Sequence, residues 1–192
     1  GPTEGQRSLP AQGVDPRRVL LPVTESALVR GLSSVQWAGR LQLVRRSGSH
    51  RILLDGAHNV GGVEMLATAL KDSFPGARPA LILGILQDKD WGQMCRILAP
   101  LASRILLVPV HSDRTADPHA LAEACRHADP GTSVAEFASL TSALDSVAHE
   151  EFVTIAGSLY LVGEAMELLD LSPTPAVNER ELNEWGLRSR PE

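Results

Sequence analysis

Aromatic residues are scarce: three Trp, three Phe and one Tyr make up 4% of the 192 residues. A core must therefore come from Leu, Val, Ile and Ala, and the aromatic platforms on which single-stranded nucleic acid stacks are disfavoured. Positive charge is also in deficit, with 18 Lys+Arg against 23 Asp+Glu and a net charge of −5. That balance argues against a general binder of nucleic acid or of acidic membranes. The two cysteines, Cys95 and Cys125, are too few and too far apart for a zinc cluster or a disulfide framework. A reducing, cytoplasmic setting is the expectation. No stretch approaches the roughly 20 consecutive apolar residues of a membrane span. The chain opens Gly1-Pro2-Thr3-Glu4-Gly5, with neither an initiator methionine nor an apolar signal core, and Gly1-Pro2 reads as a cleavage scar. A piece of a longer protein is expected.

What is present is an ordinary globular composition, 43% hydrophobic and 21% charged, long enough for one good-sized domain with extensions. Residues 1–22 carry prolines, glycines and scattered charge with no hydrophobic period and read as linker. Thr24 to Arg30 predicts a short helix capped by Thr24 and stopped by Gly31. Leu41 and Leu43 alternate with polar residues, and a turn at Ser47-Gly48-Ser49 leads to Ile52-Leu53-Leu54, a hairpin feeding a buried strand. Further strands are predicted at Ala80–Leu83, Ile105–Val108, Val134–Phe137 and Phe152–Ile155.

One-sided helices follow each buried strand, with apolar faces at Val63/Leu66/Ala67/Leu70, Trp91/Met94/Cys95/Leu98, Leu121/Ala124/Cys125/Ala128, Leu140/Ala143/Leu144/Val147 and Val162/Ala165/Met166/Leu169. Five strand-helix units of this kind predict an α/β fold, a mostly parallel sheet with helices on both faces, with the strand over Leu41–Arg45 as an antiparallel edge. Asn178 to Gly186 predicts one last helix in a tail. Ligands of such folds sit beyond the carboxyl ends of the strands.

The loops at those ends carry the candidate chemistry. Asp55-Gly56-Ala57-His58-Asn59-Val60-Gly61-Gly62 puts a carboxylate, an imidazole and an amide within five residues, and the helix that follows offers unpaired N–H groups suited to an anion. The plainer alternative makes Asp55 and Asn59 turn caps and His58 an ordinary loop histidine. The glycine spacing is not that of a dinucleotide fingerprint. Gly157-Ser158-Leu159-Tyr160 follows the last strand, where Ser158 reads first as an N-cap; Tyr160 breaks the G-x-S-x-G elbow of serine hydrolases. Asp90 reads as the N-cap of the helix through Leu98, with Lys89 beside it. His111-Ser112-Asp113-Arg114-Thr115 lines the same rim or solvated surface. Arg40, beside Gly39 ahead of the edge strand, can reach an anionic group with a planar guanidinium, or lie at the surface.

Trp37-Ala38-Gly39-Arg40, Leu53-Leu54-Asp55-Gly56-Ala57-His58-Asn59, Gly84-Ile85-Leu86-Gln87-Asp88-Lys89-Asp90 and Gly157-Ser158-Leu159-Tyr160-Leu161-Val162-Gly163-Glu164 occur in this order. Together they resemble the C-terminal domain of the folylpolyglutamate synthase / dihydrofolate synthase family, in the Mur ligase superfamily, over about Gly31 to Leu169. Val60 and Ala38 stand where the family usually has proline, and Gln42 where an acidic residue often follows G-R-L. The resemblance implies a Rossmann-like Mur ligase C-terminal (glutamate ligase) domain over 32–171. Residues 1–31 are then linker and the end of a missing preceding domain, and 172–192 a C-terminal tail.

The implied activity is ATP-dependent ligation, in which a folate or pteroate carboxylate becomes an acyl phosphate that the amine of L-glutamate attacks. Carried over residue by residue, Arg40 and Asp55 look like ATP-binding residues, and His58 and Ser158 like residues near the incoming glutamate. No catalytic residue and no metal ligand is assigned within these residues. They contain no G-x-x-x-x-G-K-[ST] phosphate loop. That loop and the Mg²⁺ ligands are expected in the missing N-terminal domain, which leaves the isolated chain inactive. The implied partners are ATP, glutamate, the folate or pteroate substrate and that domain, with neither nucleic acid nor membrane. The alternatives are a Mur-type peptidoglycan-precursor ligase domain and a non-catalytic α/β module that binds a small metabolite.

Overall fold

The computed structural model describes residues 23–35, 37–46 and 48–171. The expected lead-in and C-terminal tail, including the helix expected over Asn178 to Gly186, lie outside the described residues. The chain divides into two compact units, Gly1–Gln36 and Trp37–Glu192.

In the first unit, α1 spans Glu25–Ser33, and the Thr24 side chain accepts the Ala27 N–H as N-cap. Gly31 does not stop this helix. With no Cβ it costs roughly 1 kcal/mol relative to alanine in a helix, too little to break the run, and the helix ends only where the Ser34 N–H bonds back to the Arg30 carbonyl.

The second unit is a six-stranded sheet with strands β1 (Gln42–Arg45), β2 (Arg51–Leu54), β3 (Ala80–Leu83), β4 (Arg104–Leu107), β5 (Ser133–Glu136) and β6 (Phe152–Ala156). Their order across the sheet is β1-β2-β6-β3-β4-β5. β1 runs antiparallel to β2 with Leu43 opposite Leu53, and every other pairing is parallel. The predicted α/β architecture with an antiparallel edge is what the chain adopts. Three strands begin one residue before their predicted starts, because an arginine or serine can open a strand without joining its apolar run.

Successive strand residues point to opposite faces. Leu53, Leu81, Leu83, Ile105 and Leu107 pack under α2 (Val60–Ser73), α3 (Trp91–Leu98) and α4 (Pro118–Ala128). Ile52, Leu54, Ile82, Leu106 and Ile155 pack under α5 (Leu140–Ser146) and α6 (Leu159–Leu168). The apolar faces predicted for α2 and α6 are buried in full. On α4, Ala122 joins Leu121 and Cys125 in the core, while Ala124 and Ala128 are only half-buried.

Cys95 and Cys125 are free thiols buried together between α3 and α4. Their mutual hydrogen bond, and then burial, push the Cys95 thiol pKa up. Both side chains serve as small core groups.

Thr154 in the central strand β6 is fully buried, and its hydroxyl has no partner among the described residues. Valine has the same shape without the orphaned oxygen. Thr154→Val is therefore expected to stabilise the unit by about 1 kcal/mol. Urea unfolding checks this, and a midpoint unchanged or lowered at constant slope would contradict it.

Candidate functional site

The site is assembled by backbone hydrogen bonds between loops that are far apart in sequence. Because β6 is inserted between β2 and β3, the loop after β2 (Asp55–Asn59) and the loop after β6 (Gly157–Ser158) leave the sheet side by side. The Asp55 N–H donates to Ile155 O at 3.0 Å, and the Gly157 N–H donates to Ala57 O at 2.9 Å. A third segment, Trp37–Leu41, enters the edge strand across the same end: the Gly56 N–H donates to Gly39 O at 2.8 Å. These bonds bring together the segments that carry Arg40, Asp55, His58 and Ser158.

Asp55 is only 7% exposed. Its Oδ2 accepts the Leu41 N–H at 2.8 Å, and its Oδ1 accepts the Ala57 N–H at 2.9 Å. A carboxylate so placed ties the Arg40 segment to the β2 loop. It is not the cap of α2; that role falls to Asn59, whose Oδ1 accepts the Gly62 N–H at 2.8 Å.

Arg40 is half-buried, and its guanidinium carbon lies 3.4 Å from the point where a Cβ on Gly56 would stand. The guanidinium has no hydrogen-bond partner among the described residues. A planar, permanently charged donor therefore rests against the loop with its N–H groups uncommitted.

His58 is half-buried, and its Nδ1 lies 2.8 Å from the Gly56 carbonyl oxygen. A carbonyl only accepts, so Nδ1 carries the proton, and in the neutral ring Nε2 keeps its lone pair as an acceptor. Ser158 is 1% exposed and caps α6 by accepting the Tyr160 N–H at 3.2 Å. Its hydroxyl proton remains a donor. The starts of α2 and α6 thus both sit in this loop cluster, with the positive ends of their dipoles there and no acidic residue in either first turn.

The neighbouring rim is braced separately. The Gln87 N–H donates to Arg114 O at 2.7 Å, and Leu86 bridges Thr115, joining the loops after β3 and β4. Lys89 Nζ donates to Asp88 Oδ2 at 2.9 Å, and the Arg114 guanidinium lies 3.8 Å from the same oxygen. The Lys89 ammonium foremost holds the Asp88 carboxyl below the usual carboxylate range. Asp90 caps α3 as expected, accepting the Gln93 N–H. His111 is strongly exposed, 3.5 Å from Glu164 on α6.

Further contributors were given no role from the sequence. Gln42 accepts the Gly39 N–H at 2.8 Å through its side-chain oxygen. Leu41 holds a φ of +44°. Gly56 leaves the space that Leu159 and Arg40 occupy. Leu41, Leu159, Tyr160 and Trp37 also expose large apolar side chains around the site. Only Gly56 had a local signal, a glycine at a strand end; the others depend on contacts across the fold.

Among the described residues no three metal-ligating side chains gather, and both Asp55 oxygens already accept backbone N–H groups. The residues here do not fit a metal site. What they offer is a cationic fork, an imidazole nitrogen, a hydroxyl donor and two helix starts, a set that suits anionic oxygens and an amine.

The family described as Mur ligase, glutamate ligase domain has a model that matches residues 39–159. Folylpolyglutamate synthase of Lacticaseibacillus casei is 36% identical over 149 residues, which is 77% of this chain and 33% of that protein. Among solved structures, E. coli FolC in complex with DHPP and ADP superposes with a TM-score of 0.67 at 29% identity, covering 78% of this chain and 35% of that one. The bifunctional folylpolyglutamate synthase/dihydrofolate synthase of Yersinia pestis, complexed with AMPPNP and Mn ion, gives a TM-score of 0.67 at 26% identity, covering 79% and 36%. The chain spans about a third of the length of these three relatives.

Proposed function

We propose, from the premise that this chain belongs to the Mur ligase glutamate ligase domain family, of the folylpolyglutamate synthase/dihydrofolate synthase type, that it supplies one wall of an ATP-dependent ligase site. In the full-length protein the substrate would be a dihydropteroate or folate carboxylate. Its oxygen attacks the γ-phosphorus of ATP, ADP leaves, and an acyl phosphate forms. The amine of L-glutamate then attacks the acyl carbon, phosphate departs, and the amine loses a proton as the amide forms.

The observation that carries this reading is the uncommitted Arg40 guanidinium resting against Gly56 of the β2 loop, the residue whose carbonyl oxygen holds His58 Nδ1. Arg40 stabilises charge on the transferring phosphoryl group, where a preoriented cation acts most strongly. Asp55 builds the nucleotide side by fixing the Arg40 segment. His58 Nε2 accepts from the glutamate amine, and the Ser158 hydroxyl donates to a glutamate carboxylate, so both orient the nucleophile rather than form a covalent bond. The phosphate loop and the residues holding Mg²⁺ belong to a preceding domain, and the site is complete only when that domain closes on this one.

Release of ADP that depends on both glutamate and a reduced pteroate or folate tests this. The full-length protein is expected to turn over and the isolated chain not to. Turnover by the isolated chain, or none by the full-length protein with either substrate, would contradict it.

A Cβ on Gly56 would stand 2.3 Å from Leu159 Cδ2 and 3.4 Å from the Arg40 guanidinium carbon. Leu159 is half-exposed and free to turn aside, so Gly56→Ala is expected to cost under about 1.5 kcal/mol of stability. It should nevertheless lower turnover about tenfold, because displaced reacting groups lose rate steeply. Unfolding and turnover measured on the same variant check the split, and wild-type turnover would contradict it.

A further inference from the structure

We propose that Gln42 is a positioning residue for Arg40, its side-chain oxygen setting the aim of the guanidinium through the backbone of the turn. The proposal rests on the function given above to Arg40.

The turn that carries Arg40 is built from unfavourable conformations. Gly39 has a φ of +70° and Leu41 a φ of +44°. A leucine at positive φ costs about 1–3 kcal/mol and persists only where its surroundings over-determine it. Here they do. The Gly39 N–H is held by Gln42 Oε1 at 2.8 Å and the Leu41 N–H by Asp55 Oδ2 at 2.8 Å. Gly39 O accepts the Gly56 N–H at 2.8 Å, and the Arg40 N–H closes on Trp37 O at 3.1 Å. Gly39 is also pressed on α6, where an added Cβ would come within 2.8 Å of Val162 Cγ1.

Both neighbours of Arg40 are therefore gripped by side-chain acceptors from outside the turn. The guanidinium itself has no such partner among the described residues. Its direction comes from the backbone below it, and Gln42 holds one side of that backbone. The requirement is for a strong acceptor: an amide or carboxylate oxygen satisfies the Gly39 N–H, a thioether sulfur of similar length accepts only weakly, and a methylene not at all. The carboxylate of Q42E meets it; the side chain of Q42M leaves the N–H without a strong acceptor.

The experiment is steady-state kinetics on the full-length protein for wild type, Q42E, Q42M, R40A and the double variant R40A/Q42M. Q42M is expected to lower kcat about tenfold with the KM for glutamate within about twofold, and Q42E to stay within about threefold of wild type. In the R40A background Q42M should change kcat less than about twofold, because the group it aims is gone. Additive losses in the double variant, or Q42E as impaired as Q42M, overturn the proposal. Should Q42M not fold, Q42A, which has no side-chain acceptor, replaces it under the same criteria. Wild-type activity in R40A would instead sink the function given to Arg40, whereas an impaired R40A beside an intact Q42M sinks only the positioning role.

Discussion

Arg40→Ala in the full-length protein is expected to lower kcat for ligation by about 10²–10³-fold, the scale seen when a preoriented group facing developing transition-state charge is removed. Stability should barely change, because the guanidinium forms no hydrogen bond among the described residues and the backbone of the turn is held by Asp55, Gln42 and Gly56. Arg40→Lys should recover only part of the loss, since an ammonium keeps the charge but not the planar fork that grips two oxygens at once. ADP release under saturating glutamate, with thermal unfolding on the same preparations, measures both quantities. A turnover within threefold of wild type would remove Arg40 from the reaction.

Gly157→Ala is expected to act on the fold rather than on chemistry, and to do so severely. Gly157 has a φ of +105°, and a Cβ there would lie 2.6 Å from Gly84 O, 2.9 Å from Leu83 Cδ1 and 3.0 Å from Ile85 Cγ1. The first of these atoms is backbone at the end of β3 and cannot turn aside. Conformational strain and overpacking each carry about 1–3 kcal/mol. A loss of about 3–5 kcal/mol is therefore expected, a large share of the 5–15 kcal/mol typical of a whole domain. Denaturant unfolding measures it, and a loss below about 1 kcal/mol would show that β3 and β6 separate more easily than their packing implies. The contrast with Gly56 is instructive: there the obstructing atom is the end of a half-exposed leucine, so the same substitution touches function and spares the fold.

Much of this architecture was legible from periodicity. Val63, Leu66, Ala67 and Leu70 recur at helical spacing because one stripe of α2 faces the sheet, and all four are buried. The apolar run Ala80–Leu83 has no alternation because β3 is covered on both sides. The N-caps Asp90 and Ser158 were visible because short polar side chains ahead of apolar runs have few other uses, while Asn59 was one of two caps offered as an alternative.

The strand order was not legible. Nothing local in Phe152–Ala156 says that it inserts between β2 and β3, yet that insertion sets Ser158 beside the Asp55 loop. Gly31 misled for a related reason: its helix-stopping habit depends on the residues after it, and Leu32 and Ser33 continued the helix. The Ala57 bond of Asp55 is the turn cap that the sequence offered, but its second bond was hidden. Its partner Leu41 is fourteen residues away, and a leucine at positive φ leaves no mark in composition or pattern. Three of the four motif segments lie in the loops that backbone bonds join at one end of the sheet, but the contacts of Gln42 and Gly56 beside Arg40 follow only from the three-dimensional fold.

A structure of the full-length protein with a non-hydrolysable ATP analogue and glutamate bound tests the central claim most directly. The account predicts the Arg40 guanidinium within hydrogen-bond distance of the analogue's phosphate oxygens and the glutamate amine at His58 Nε2, with Leu41 still at positive φ on Asp55. Phosphates seated away from Arg40, with glutamate held by other loops, would contradict it.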